Sequence, residues 1–329
     1  MTPSEEGKLP CSESQLQDWR QEQYRIASLV KIDTDPKDES DCPNDRFKVL
    51  NLHPRPTELY GGVDVSFPDN ENNQSVAVYV IMNDKGECVY RDHVYFDLTV
   101  PYVSSYLAFR EIDPLQRLVE KQLKDRPDVT PRVILVDGNG RLHARRAGIA
   151  CFLGVRTGIP TIGVGKKLYC EGNLTRENVD RGIDKCLVDI ENAVQSSGDW
   201  TRSWNGPAVI IDQTPVDTTV TESPPPPEGR ESTLDLIASF CRGVAVKLLG
   251  QDEETLACAL LGHGGKIGKK GRNNKRGTKN PIFVSVGHGI SLEEAVRLCS
   301  LLSFARIPEP VRQADLWGRD LLRTKQHKR

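Results

Sequence analysis

Five side chains stand in settings suited to phosphoryl chemistry: Asp64, Glu111, Asp137, Lys166 and His288. Asp64 lies inside Gly61-Gly62-Val63-Asp64-Val65-Ser66-Phe67, a valine-flanked stretch that reads as a core strand. A carboxylate there is costly unless it is paired or bound to a cation. Asp137 directly follows the apolar run Val133–Val136 and precedes Gly138-Asn139-Gly140. At the carboxyl end of a strand, with glycines that allow close backbone approach, an aspartate is placed to hold a metal against a polyanion. Two such hard oxygen donors on strands of one sheet favour Mg²⁺ or Mn²⁺ over zinc. Glu111, after Phe109-Arg110 and near a helix start, is a candidate third carboxylate. Lys166 ends a strand beside Gly165, where its ammonium can stabilise a scissile phosphate. His288, flanked by Gly287 and Gly289 at a strand end, is placed to activate or orient a water. The GVGKK stretch (163–167) lacks the Walker spacing and its terminal hydroxyl, so it is not read as a P-loop.

The elements that must position these residues follow from hydrophobic period. Leu16, Trp19, Ile26 and Val30 predict an amphipathic helix over 12–31, followed by a polar, turn-rich stretch at 33–46. Tyr60–Phe67, Ser75–Met82 and Glu87–Phe96 predict three consecutive antiparallel strands, with Asn83–Gly86 as a hairpin connection. Asp113-Pro114 predicts a helix start ahead of the stripe Leu115, Leu118, Val119 and Leu123. Val133–Val136 then reads as a buried parallel strand, Ala144–Gly154 as a small-residue helix, and Thr161–Val164 and Ile282–Val286 as further strands. Ser291 with Glu294 forms a capping box for a helix through Leu302. Three antiparallel strands followed by alternating helix and strand predict an α/β, ribonuclease H-like mixed sheet with helices on both faces. Residues 206–255, including Pro224–Pro227, read as an insertion or long loop, with Leu234–Leu249 as a helix of its own.

The chain has 329 residues, 37% of them apolar, with a formal net charge of -2. Its apolar runs, such as Val76–Met82, are too short to span a bilayer, and the N-terminus shows no secretory signal. Nine scattered cysteines without a CxxC pair read as intracellular thiols, which places the protein in cytosol or nucleus. Near-neutrality hides strong local asymmetry. The span 132–167 carries Arg132, Arg141, Arg145, Arg146, Arg156, Lys166 and Lys167 around a single acid, Asp137, and suits a phosphate-lined groove. The span 266–279 (KIGKKGRNNKRGTK) carries seven basic residues and no acid, and reads as a flexible nucleic-acid-binding arm. The division expected is an N-terminal helix and acidic segment at 1–48, a catalytic domain at 49–318, and a basic tail at 319–329.

Several stretches, in this order after GVDVSF, resemble the endonuclease V family: PYVSSYLAFRE, VILVDGNGRLHARRAG, PTIGVGKK, FVSVGHGISLEEA and the closing RIPEPVRQAD. The likeness covers roughly 12–205 and 255–318. It implies a ribonuclease H-like fold and Mg²⁺-dependent hydrolysis, with Mn²⁺ as a substitute. The cut is expected at the second phosphodiester 3′ to a hypoxanthine nucleotide, leaving 3′-hydroxyl and 5′-phosphate ends. Asp64, Asp137 and Glu111 match the family's acidic metal ligands, His288 its late glycine-flanked histidine, and Lys166 its lysine after IGV. Pro101, Tyr102, Val103 and Ser104 match its strand-wedging tip, with Arg110 and His143 as further nucleic-acid contacts. Ser105, Leu107, Gly138 and Gly163 are expected around the base pocket. Ser105 stands where relatives usually have Gly, and Gly289 replaces a common basic residue. The partner expected is inosine-containing DNA or RNA, single- or double-stranded, met by a monomer away from membranes. A structure-directed flap or junction nuclease on the same fold, and a catalytically inactive nucleic-acid reader, are the competing expectations.

Overall fold

A computed structural model describes residues 11–33, 46–52, 55, 57–68, 74–170, 174–197, 208–212, 214, 241–262 and 280–326. One ten-stranded mixed sheet organises them, in the order β1-β7-β8-β9-β10-β6-β5-β2-β3-β4. Its strands are β1 (Phe47–Asn51), β2 (Leu59–Ser66), β3 (Gln74–Asn83), β4 (Cys88–Asp97), β5 (Val133–Asp137), β6 (Thr161–Gly165), β7 (Ala208–Asp212), β8 (Cys241–Leu249), β9 (Thr255–Gly262) and β10 (Ile282–His288). The expected meander is β2-β3-β4, and β5 and β6 join it in parallel through β2. The helices are α1 (Glu13–Leu29), α2 (Ala108–Asp125), α3 (Ile149–Thr157), α4 (Arg176–Ser197), α5 (Leu292–Leu301) and α6 (Glu309–Gln326).

Alternation along the strands sorts the core into two layers. Val63, Ala77, Tyr79, Ile134 and Val136 face α1, α2 and α3. Tyr60, Val133, Leu135, Ile162 and Val164 face α5, while Val76, Val78 and Val80 face Ala314 and Leu322 of α6. Asp64 shares the parity of Tyr60, and Asp137 that of Leu135, so both carboxylates point to the α5–α6 side.

Several expectations change. The second helix begins at Ala108 and carries Pro114 inside it. The apolar stripe extends back through Ala108 and Ile112, and their burial outweighs the lost proline hydrogen bond. Residues 144–148 are not helical, with a turn at 144–145, and α3 starts only at Ile149. The expected helix at Leu234–Leu249 is strand from Cys241 on. Val244–Val246 are buried on both faces, a continuous apolar run whose period cannot separate helix from strand. Sheet pairing by β7 and β8 thus occupies part of the stretch read as insertion. Residues 319–326 complete α6 rather than forming a tail, and α1 belongs to the core through buried Gln23 and Ile26. The basic stretch 266–279 lies outside the described residues.

Helix α6 crosses β2 at Gly62, where an added β-carbon would lie 2.2 Å from the Pro310 carbonyl carbon. Gly62→Ala is therefore expected to destabilise the fold by about 3 kcal/mol, read from the denaturation midpoint. An unchanged midpoint would contradict the close crossing.

Candidate functional site

Asp64 and Asp137 sit side by side, because Val63 pairs in register with Val136 on the adjacent parallel strand. Asp315 descends onto them from α6. One carboxylate oxygen from each of the three lies within 4.8 Å of the others. This group forms the base of a cleft of about 500 Å³ whose lining includes Ser66, Phe67, Arg319 and Arg323. Asp64 is buried, whereas Asp137 and Asp315 are partly accessible.

Three converging carboxylates repel one another, and the local electrostatics show it. Burial, then hydrogen bonding and charge from Asp137, push the Asp64 carboxyl well above the usual range. Lys166 offsets part of this, with its ammonium 2.5 Å from Asp137 Oδ2 and 3.6 Å from Asp315 Oδ1. Burial works to lower that ammonium, but Asp137, Asp64 and Asp315 hold it above its ordinary value. A hard divalent cation fits this donor set: all ligands are oxygen, one is buried, and the acids outnumber the lysine. Such a cation facing an open, arginine-bearing cleft would meet a phosphate.

Glu111 stands outside the group of three. It is buried in the first turn of α2, and burial pushes its carboxyl up to about 8; Arg110 works against this and Asp137 adds to it. It thus lies close enough to feel Asp137 and carries a proton near neutral pH.

His288 is not brought to the carboxylates. β10 runs antiparallel to β6 and sets His288 opposite Thr161, whereas Asp137 lies beside Val164. Two strands across and three residues along separate the backbones by roughly 14 Å. The His288 ring instead accepts a hydrogen bond from the Lys31 N–H at 3.3 Å, and the Gly289 N–H donates to the Lys31 carbonyl at 2.8 Å. This turn therefore pins the exit of α1. Burial first, then Lys31, keep the imidazole below its ordinary value.

The remaining expected residues divide. Tyr102 is 63% exposed, and it shares an exposed tip with Ser104 and the less accessible Pro101 and Val103. The Arg110 guanidinium lies 4.9 Å from the ring centre of Phe67, an exposed residue lining the cleft. Leu107 is on the surface and Ser105 and Gly138 are half-buried. Gly163 serves packing instead: an added β-carbon would lie 2.2 Å from the Gly140 nitrogen, so β6 closes directly on the 138–140 turn. His143 is buried and hydrogen-bonds the Ser105 carbonyl rather than a surface anion.

The basic span 132–167 also reads differently in three dimensions. Arg132 pairs with Glu58 and Glu294, Arg141 with Glu254, Arg146 with Asp252 and Glu254, and Arg156 with Asp113 and Glu22. These arginines tie neighbouring helices and loops together rather than line a phosphate groove. The arginines at the cleft, Arg319 and Arg323, come from α6.

The family model described as Endonuclease V matches residues 44–204 and 241–316. Human Endonuclease V is 33% identical over 312 residues, which cover 94% of this chain and 84% of the human protein. Mouse Endonuclease V is likewise 33% identical, over 94% of this chain and 70% of the mouse protein. A crystal structure of human ENDOV aligns with TM-score 0.63 at 31% identity, covering 94% of this chain and 99% of that one. Ciona intestinalis Endonuclease V, solved with a 23mer DNA containing an inosine followed by a ribo-adenosine, aligns at TM-score 0.61 and 25% identity. That alignment covers 95% of this chain and 99% of the Ciona chain.

Proposed function

Because the chain belongs to the endonuclease V family, we propose that it is a Mg²⁺-dependent endonuclease for inosine-containing DNA or RNA. The cut falls at the second phosphodiester 3′ to the inosine. The observation that carries this reading is the meeting of Asp64, Asp137 and Asp315 with Lys166 in an open cleft. The inosine-containing DNA bound by the Ciona relative supports the choice of base.

In this reading the exposed tip at Tyr102 enters the strand beside the inosine, and the base turns out beside Ser105 and Gly138. Asp64, Asp137 and Asp315 would hold the cation, and Glu111, whose carboxyl feels the charge of Asp137, could add a further carboxylate in its deprotonated form. Bound there, Mg²⁺ supplies Lewis-acid polarisation of the scissile phosphate. A water oxygen bonds to phosphorus as the bond to the 3′ oxygen breaks, giving 3′-hydroxyl and 5′-phosphate ends. Lys166 presents positive charge and N–H donors to the oxygen atoms on which charge builds. Arg319 and Arg323 bring positive charge to the same cleft.

The test compares matched oligonucleotides with and without one inosine, as DNA and as RNA, in Mg²⁺ or Mn²⁺. Cleavage restricted to the inosine strand, with the end mapped one nucleotide beyond its 3′ neighbour bond, is the expected result. Equal cleavage without inosine would instead favour a structure-directed nuclease. No cleavage at all, with binding retained, would favour an inactive reader. Asp137→Ala should abolish the cut while leaving binding measurable.

A further inference from the structure

The segment carrying the exposed Tyr102 leads into a densely hydrogen-bonded residue, Ser105. Ser105 has a φ of 67°, in the left-handed region that side-chain-bearing residues avoid. Its carbonyl accepts three side-chain donors: Gln23 Nε2 at 2.8 Å, His143 Nε2 at 2.9 Å and the Arg145 guanidinium at 2.9 Å. Burial lowers the His143 ring to about 4, so it is neutral at physiological pH. Its Nδ1 accepts from the Arg145 N–H at 3.2 Å, which leaves the proton on Nε2 to point at Ser105. These three bonds hold main chain and would serve a glycine equally well.

The Ser105 side chain has a partner of its own. Its hydroxyl lies 2.7 Å from the Tyr169 hydroxyl, and the Tyr169 ring packs against His143 with centroids 5.3 Å apart. Tyr169 follows Lys166 by three residues on the segment leaving β6, and Lys166 is the lysine seated on Asp137. One hydrogen bond therefore joins the segment that bears the tip to the segment that bears the lysine of the carboxylate site.

We propose that Tyr169 is a positioning residue. Its hydroxyl, bonded to Ser105 Oγ, fixes the 101–105 tip at a set distance from Lys166 and the three aspartates. The base-reading side and the cleaving side are thereby held in register before the strand arrives, which lowers the ordering cost of binding. The functional half of this inference rests on the inosine reading above; the structural half stands without it.

Tyr169→Phe removes one oxygen and keeps the ring against His143. Amide exchange in the 101–107 peptide is expected to accelerate about five-fold, the worth of one net hydrogen bond. KM for the inosine oligonucleotide should rise by a similar factor, with kcat held within about two-fold. Ser105→Ala removes the same bond from the other side and should reproduce both changes. In a Ser105→Gly background, where the strain and the hydroxyl are both gone, Tyr169→Phe should add nothing. Unchanged exchange and KM in Tyr169→Phe would overturn the proposal, as would an equal penalty in the glycine background. A wild-type protein that ignores inosine would sink the functional reading instead, and the exchange measurement would still decide the contact.

Discussion

Asp315→Asn is expected to slow cleavage on the order of a thousand-fold while raising the thermal stability of the metal-free protein. The two effects share one cause. Asp315 places a third negative oxygen within 4.8 Å of those of Asp64 and Asp137, and its charge helps hold the Asp64 carboxyl above its usual range. Without a cation this arrangement is repulsive, and neutralising one member relieves it. The amide keeps the side chain's shape and an acceptor oxygen for Arg319, which now donates to Asp315 at 2.7 Å. The stability gain that saturating Mg²⁺ gives the wild type should shrink sharply in the variant. Single-turnover rates and melting curves with and without Mg²⁺ measure all three quantities. Cleavage within about ten-fold of wild type, or an undiminished Mg²⁺ response, would remove Asp315 from the site. His288→Ala is the contrast: its ring accepts from Lys31 and its backbone lies roughly 14 Å from that of Asp137, so cleavage should stay within about ten-fold of wild type.

The difference between Asp315 and the other two aspartates shows how far the sequence reaches. Asp64 and Asp137 announce themselves because each sits in or at the end of an apolar strand, where a charge demands a reason. Asp315 offers no such local signal. It lies four residues before Arg319 in a helix and reads as one half of a surface ion pair. Its approach to β2 depends on the crossing of Pro310 over Gly62, a tertiary contact that no periodicity encodes. The family likeness did include RIPEPVRQAD, whose last residue is Asp315, so the signal lay in the motif rather than in residue chemistry.

His288 fails for the converse reason. A glycine-flanked histidine at a strand end is a sound local pattern, but sequence gives no strand direction. Because β10 is antiparallel to β6, its carboxyl end lies at the far edge from Asp137. The basic span 132–167 fails similarly, since charge counts do not reveal that Glu254, Asp252, Glu58 and Glu294 arrive from other elements to neutralise it. The meander, the parallel pair and the α/β class were legible because each rests on short-range pattern. Strands β1, β7, β8 and β9 were not: short or continuously apolar, they take their identity from their neighbours in the sheet.

The metal-free protein is expected to lose stability as pH rises from about 6.5 to 8, and Mg²⁺ should cancel that loss. Burial lifts Glu111 from 4.5 to about 8, against Arg110 and helped by Asp137. The folded state thus binds this proton more tightly than the unfolded chain does. The resulting stabilisation is complete below 4.5 and disappears as pH climbs through about 8. Asp64, also shifted upward by burial and Asp137, acts with the same sign. His143 acts oppositely at lower pH, because its ring is lowered from 6.5 to about 4 and so adds stability as pH rises between those values. Above 6.5 that gain is complete, as is the one from His288, whose imidazole is also lowered, and the raised carboxyls give the slope its downward direction. A cation needs their deprotonated oxygens, so its affinity climbs over the same interval. Melting temperatures at several pH values, in chelator and in saturating Mg²⁺, should therefore diverge steadily between 6.5 and 8. In Glu111→Gln the metal-free slope should flatten, leaving the part due to Asp64. A metal-free stability that is level or rising across this interval would show that the buried carboxyls do not carry these protons.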